Sequence, residues 1–269
     1  MRGTRVPAVT DTADLVLLDI ADRIATITLN RPEARNAING DLFEQLVAAV
    51  ARAEADDAVD VLVLTGNGPA FCAGLDLKSL GSGDTRLTDT APTTETPVRD
   101  RGPFTSISKP LIGAINGFAI TGGFELALAC DFLVASEQAR FADTHARVGL
   151  QPWWGLSVLL PQAIGVRRAR EMSLTGNFID ASTALDWGLV NHVVPHDELL
   201  GFTRQLASDI VSGDQRAIRR LLATYEEGEF LTGGEAWLLE AEVAGAWTTD
   251  AGEVEARRDA VMARGRSQS

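Results

Sequence analysis

Lysine is almost missing from this 269-residue chain. There are two, Lys78 and Lys109, so arginine carries nearly all the positive charge. Acidic residues outnumber basic ones by 37 to 24, which gives a net charge of −13 and a pI near 4.7. A surface of that sign repels polyanions and excludes nucleic acid and anionic membranes as general partners. An anionic small ligand would need a local group of basic side chains. The two cysteines, Cys72 and Cys130, are too few for a disulfide scaffold. Both sit in apolar segments, which predicts reduced, buried thiols and a cytoplasmic protein. Three scattered histidines and no zinc-type spacing predict no metal site. No apolar run is long enough to span a bilayer, and the N-terminus lacks the apolar core of a signal peptide, so no membrane partner is expected.

What is present suffices for one large domain, or a domain with a helical extension. After a loose leader, 15–19 and 23–29 are β-branched and alternating, with a turn at 20–22, and predict a hairpin. An amphipathic helix is expected from Asn39 to about Ala55, with Leu42, Phe43, Leu46, Val47 and Val50 on one face. Val61–Leu64 reads as a short buried strand. A further helix is expected after Gly74, with Asp76 in its first turn. Gly81–Ser108, rich in Thr, Pro, Gly and Asp, reads as a lid or as plain surface loop. The pattern then runs through a strand at 132–135, a loop or short strand at 141–148, helices at 156–164, 168–175 and 181–187, and a strand at 189–194. From His196 onward only helical spacing remains, at 199–211, 215–225, 235–247 and 251–263. The fold class is therefore α/β up to about residue 195, with helices after it.

The chain is organised around Leu111–Asp131, LIGAINGFAITGGFELALACD. An apolar strand turns at Asn116-Gly117, passes Gly122-Gly123 and enters a helix with Glu125 in its first turn. Glycine lets backbone approach a ligand, and the first amides of a helix have no partner inside it. A developing oxyanion beside an acid or base suits such a place; a packed helix start suits it as well. Gly66–Lys78, GNGPAFCAGLDLK, repeats the logic of strand, glycine loop and helix start. Two such junctions can aim two amides at one oxygen, the geometry of an oxyanion hole for an acyl carbonyl.

With these segments in hand, the chain resembles the crotonase superfamily, the enoyl-CoA hydratase/isomerase proteins. The resemblance rests on NRPEARNAIN (30–39), GNGPAFCAGLDLK, INGFAITGGFELALACD and LTGNFIDASTALDWGLVNHVVP (174–195), in that order. It implies a crotonase-like spiral of ββα repeats over residues 1–195, with two near-perpendicular sheets and an acyl-CoA site. Residues 196–269 would form a helical region for trimerisation and site closure, in a homotrimer or a dimer of trimers. It implies a coenzyme A thioester as substrate, no further cofactor and a place in fatty acid metabolism. The thioester oxygen would be held by the amides of Leu75 and Gly122. Coenzyme A contacts would fall on Arg35, Ala73, Asp76 and Lys78, although Arg35 and Lys78 read equally as solvated surface charges.

Hydratases of the family use two glutamates. Glu125 matches the first, and the second falls on His145, within FADTHARVGLQPWWG. A histidine can do acid–base work near neutral pH. It can also be a hydrogen-bonding or packing residue in a site of changed chemistry, and both readings stand. Asp143, two residues earlier, is expected on the opposite side of the strand. Trp153 and Trp154 either narrow the acyl pocket or pack, and His192 and His196 read as structural or exposed. The expected activity is addition of water to a 2-enoyl-CoA thioester through a stabilised enolate. The alternatives are a single-base isomerase or related enolate chemistry, and a non-catalytic acyl-CoA-binding subunit.

Overall fold

The hairpin forms as its alternation requires. β1 (Val16–Ala21) pairs antiparallel with β2 (Ile24–Leu29), and the two residues between them, Asp22 and Arg23, both take positive φ. The computed structural model describes residues 14–82, 86, 102–104, 107–249 and 251–267. The expected lid at Gly81–Ser108 falls mostly outside the described residues. The remaining elements follow in chain order. They are α1 (Gly40–Ala55), β3 (Val61–Gly66), β4 (Ala70–Cys72), α2 (Leu77–Gly81), β5 (Leu111–Ile115), β6 (Phe118–Ile120) and α3 (Gly122–Leu128). Then come β7 (Phe132–Ser136), β8 (Arg140–Ala142), α4 (His145–Val148), α5 (Leu156–Ile164), α6 (Val166–Thr175), β9 (Ile179–Asp180) and α7 (Ala181–Trp187). The chain closes with β10 (His192–Val194), α8 (Leu199–Val211), α9 (Gln215–Gly228), α10 (Gly233–Ala246) and α11 (Ala251–Ser267).

The strands divide between two sheets, a six-stranded one ordered β1-β2-β3-β5-β7-β10 and a four-stranded one ordered β4-β6-β8-β9. Each of β3, β5 and β7 lies in the larger sheet, and the strand that follows it, β4, β6 or β8, lies in the smaller one. A helix comes next each time, so the chain advances as a spiral of strand, strand and helix. Neighbouring turns of the spiral pair in parallel, β2 with β3, β3 with β5, and β5 with β7.

Both faces of the larger sheet are covered, which accounts for its unbroken apolar strands. Along β3, Leu62 and Leu64 enter the main core with Leu42, Leu46 and Phe71. Val61 and Val63 face the other way and meet Leu199 and Ala207 of α8. The chain forms two compact units, one ending at Arg219 and one beginning at Arg220. In the second, α10 opens on a capping box in which Thr232 and Glu235 satisfy one another's amides. Among the described residues no helix is long and apolar enough to cross a membrane.

Candidate active site

Two loops meet where β4 runs into α2 and β6 runs into α3. Gly74 stands at φ +92°, and a Cβ on it would come within 2.7 Å of the Ile120 carbonyl oxygen and 3.4 Å of the Gly122 nitrogen. Only glycine allows that backbone shape and that approach together. Next to it, a Cβ on Gly122 would stand 3.6 Å from the Leu75 nitrogen. Gly123 lies so close to the Cys72 carbonyl that no side chain fits there. The Ile38 main chain bridges to this loop, its amide donating to the Gly74 carbonyl at 2.8 Å and its carbonyl accepting from the Asp76 amide at 2.8 Å. In such a parallel bridge the Leu75 amide faces away from Ile38. The Gly122 amide is the first of α3 and has no acceptor within it. Among the described residues neither amide has a protein acceptor. Two free donors across so narrow a gap can share one oxygen.

Thr121, at the N-cap of α3, holds φ +54°. That is costly for a β-branched residue, about 1–3 kcal/mol, and persists only where surroundings enforce it. Here they do. The Thr121 amide donates to the Ala142 carbonyl at 2.9 Å, the Thr144 amide donates to Thr121 Oγ1 at 3.2 Å, and the two threonine hydroxyls lie 2.6 Å apart. The start of α3 is thereby fixed against the segment that carries Asp143 and His145.

Glu125 is 2% exposed, and its two carboxylate oxygens are used differently. Oε1 accepts from the amides of Trp153 at 3.0 Å, Trp154 at 2.7 Å and Leu156 at 3.5 Å. Oε2 faces His145 Nε2 at 3.6 Å. That gap is longer than a hydrogen bond but short enough for one water to touch both atoms. On the far side of the ring, Nδ1 lies 2.7 Å from Asp143 Oδ1, which also accepts the His145 amide at 3.1 Å. The imidazole thus sits between two carboxylates, both buried.

The expectation for Asp143 is corrected. It lies beside His145: residues two apart share a face of a strand, and the turn from Ala142 through Thr144 into α4 keeps the two side chains together. Burial opposes a charged ring at His145, but Asp143 and Glu125 outweigh it and push the ring up to about 9. Burial likewise raises the Asp143 carboxyl, yet its bonds from the His145 ring, the Ser173 hydroxyl and the His145 amide hold it below the usual carboxylate range. Cys72, buried beside the amide pair, is pushed up to about 12 by burial and is an unreactive thiol.

The remaining expected residues gather around the amide pair. Ala73 donates its amide to the Arg35 carbonyl at 3.0 Å, which joins two of them through backbone. Arg35 and Lys78 are both exposed. The Asp76 carboxylate caps α2 through the amides of Lys78 and Ser79 and accepts from Arg31 at 2.7 Å. The Arg31 guanidinium is the leading reason that Asp76 lies below the usual carboxylate range. Sequence reasoning missed Arg31, the organising amide of Asn36 and the main-chain clamp from Trp153 and Trp154. Asn36 is buried at positive φ and donates to the carbonyls of Asn67, Ala70 and Phe71. A buried asparagine at a loop is a weak signal, and a backbone clamp leaves none. Trp154 itself packs, stacked on Phe43 at 5.0 Å, while Trp153 is 41% exposed. His192 lies exposed with its ring against Phe202, and His196 is 3.0 Å from the Ser136 hydroxyl.

A buried acid–base pair beside two unpaired amides defines a class of site, one suited to proton transfer next to a carbonyl whose oxygen is held. Comparison with known proteins gives the family. Residues 19–250 match the family model described as enoyl-CoA hydratase/isomerase, and the chain belongs to that family. It is 43% identical over 227 residues to a probable peroxisomal enoyl-CoA hydratase 1 of Arabidopsis thaliana, covering 83% of each chain. A crystal structure of an enoyl-CoA hydratase from Mycobacterium tuberculosis is 49% identical, with a TM-score of 0.72 over 86% of this chain and 97% of that one. A second structure under the same description, 30% identical, has a TM-score of 0.81 over 92% and 96%.

Proposed function

We propose that this protein adds water to 2-enoyl-CoA thioesters. The observation that carries the reading is the 3.6 Å approach of Glu125 Oε2 to His145 Nε2, one helical turn from the Gly122 amide. The hydratase names of the relatives support it. In this mechanism the amides of Leu75 and Gly122 bind the thioester oxygen. Glu125 Oε2 takes a proton from water as the water oxygen bonds to the β-carbon. The alkene electron pair moves onto the held oxygen, giving an enolate. The enolate then collapses, and the α-carbon takes the proton of His145 Nε2–H. Transfer of the proton from Glu125 back to His145 resets the pair, and one water has been added. Each amide donor in such a hole is worth about 3–4 kcal/mol of barrier. Oε1, filled by main-chain donors, fixes the carboxylate so that Oε2 alone exchanges protons.

Coenzyme A brings phosphate charges to an acidic protein. We assign that contact to Arg35 and Lys78, which are exposed on the two segments that adjoin the amide pair. The reaction needs no cofactor beyond the thioester itself. The exposed apolar side chains of α10 and α11, Trp237, Leu238, Val261 and Met262, suit association into a homotrimer or a dimer of trimers.

The test is turnover of short and medium 2-enoyl-CoA thioesters, followed by loss of the conjugated chromophore. The expected result is a 3-hydroxyacyl product. Binding without turnover, or interconversion of 3-enoyl and 2-enoyl thioesters without water addition, overturns the hydratase reading.

A further inference from the structure

We propose that Asp143 is a positioning residue that acts through His145, holding Nδ1–H so that Nε2–H is presented to Glu125 Oε2 and to the water between them. The inference deepens the hydratase reading and rests on it. Its basis is geometric. One oxygen of Asp143 accepts both the ring Nδ1–H at 2.7 Å and the main-chain amide of the same histidine at 3.1 Å. A single atom therefore sets the ring's position and its rotation. Asp143 is 2% exposed and His145 3%, so water does not compete for either partner. The Ser173 hydroxyl of α6 also bonds the Asp143 carboxylate.

The arrangement also balances charge. A carboxylate with an imidazolium can do the work of a carboxylate with a carboxylic acid, since each offers one base and one donor. The imidazolium differs by one positive charge, and Asp143 cancels it. The charged groups that act on the ring are Glu125, from α3, and Asp143, from the segment before α4; α6 adds only the neutral Ser173 hydroxyl bonded to Asp143. Between Glu125 and Asp143, His145 stays cationic through neutral pH, in keeping with its raised position. It is then a proton donor toward the enolate rather than a second base.

The chain has three histidines, so ring 15N signals can be resolved and His145 assigned by its loss in His145→Gln. In the wild type both ring nitrogens are expected to carry protons at pH 7, with deprotonation well above the ordinary histidine range. Asp143→Asn keeps the size and one acceptor while removing the charge. It should bring His145 titration down toward its ordinary value and move the alkaline limb of the kcat/KM profile with it. It should also lower kcat by roughly 10²–10⁴-fold with little change in KM. A neutral wild-type ring at pH 7 with a bare Nε2 overturns the proposal without any variant. So does an Asp143→Asn protein that loses activity while His145 titration and the pH profile stay in place, because a merely structural role would give that pattern. If the wild type fails to hydrate any 2-enoyl thioester, the hydratase reading falls, and the 15N titration still decides the role of Asp143 by itself.

Discussion

The candidate site has two halves, an amide pair at Leu75 and Gly122 and the carboxylate–imidazole pair of Glu125 and His145 that we propose transfers protons, and they depend on side chains in opposite ways. The amide half is made of backbone. Its side chains matter by being absent, as at Gly74 and Gly123, where a Cβ would strike a carbonyl. The proton half is made of side chains, and each is held by a further group, remote in sequence for Glu125 and two residues away for His145. Glu125 is gripped by amides 28 to 31 residues away, and His145 by a carboxylate on a turn. A backbone site tolerates change in any side chain that leaves the loop shape intact. A side-chain site is open to substitution but needs its second layer of contacts to change with it. His145 with Asp143 behind it is such a pair of layers.

The largest effect expected is in the proton half. Glu125→Gln keeps the size and removes the base, and kcat should fall by roughly 10²–10⁴-fold with KM nearly unchanged. A KM rise with kcat intact would move Glu125 from chemistry to binding. In the amide half, Gly74→Ala forces a Cβ toward the Ile120 carbonyl at a positive φ. We expect a loss of about 1–3 kcal/mol in denaturant unfolding and a fall in kcat of roughly 10²-fold as the Leu75 amide is displaced. Wild-type stability with full activity would show that this half is not shaped by glycine at all.

A third comparison uses pH. His145 is raised from 6.5 to about 9 in the folded protein. Its contribution to stability is therefore complete below about 6.5 and is lost as pH rises through about 9. The melting temperature of the wild type should fall relative to that of His145→Gln across that window, and a constant difference would mean a ring that does not titrate there. The smallest effect is expected at Trp153, which serves Glu125 through its main-chain amide. Trp153→Ala should hold stability and kcat within about threefold of wild type, as is usual for exposed positions. A large kcat loss would give the indole a role of its own.

Much of the fold was legible because its signals are local. The hairpin, α1, α7 and α8 follow from alternation, helical periodicity and caps such as Asn39 and Asp180. The three-residue strands β4, β6 and β8 are too short to show a period, and they meet one another only through the spiral that also aligns β3, β5 and β7. The amide half of the site was legible from glycine placement and from the family resemblance. The proton half was legible only as far as Glu125 and His145. Asp143 was misplaced because residues two apart share a face of a strand rather than lying on opposite ones, so its spacing from His145 already allowed the contact. The clamp on Glu125 uses backbone amides, which every residue but proline has, so no choice of side chain at 153 and 154 announces it.

Whether Glu125 and His145 work as one unit, as proposed, is decided by a double-mutant cycle. Glu125→Gln, His145→Gln and the double variant would be compared by kcat on one 2-enoyl-CoA thioester. If the two exchange protons with the same water, each single change removes most of the catalysis, and the double variant is expected to be little worse than the poorer single one. Losses that multiply, so that the double variant falls by the product of the two, would mean that the residues act independently and would contradict the claim.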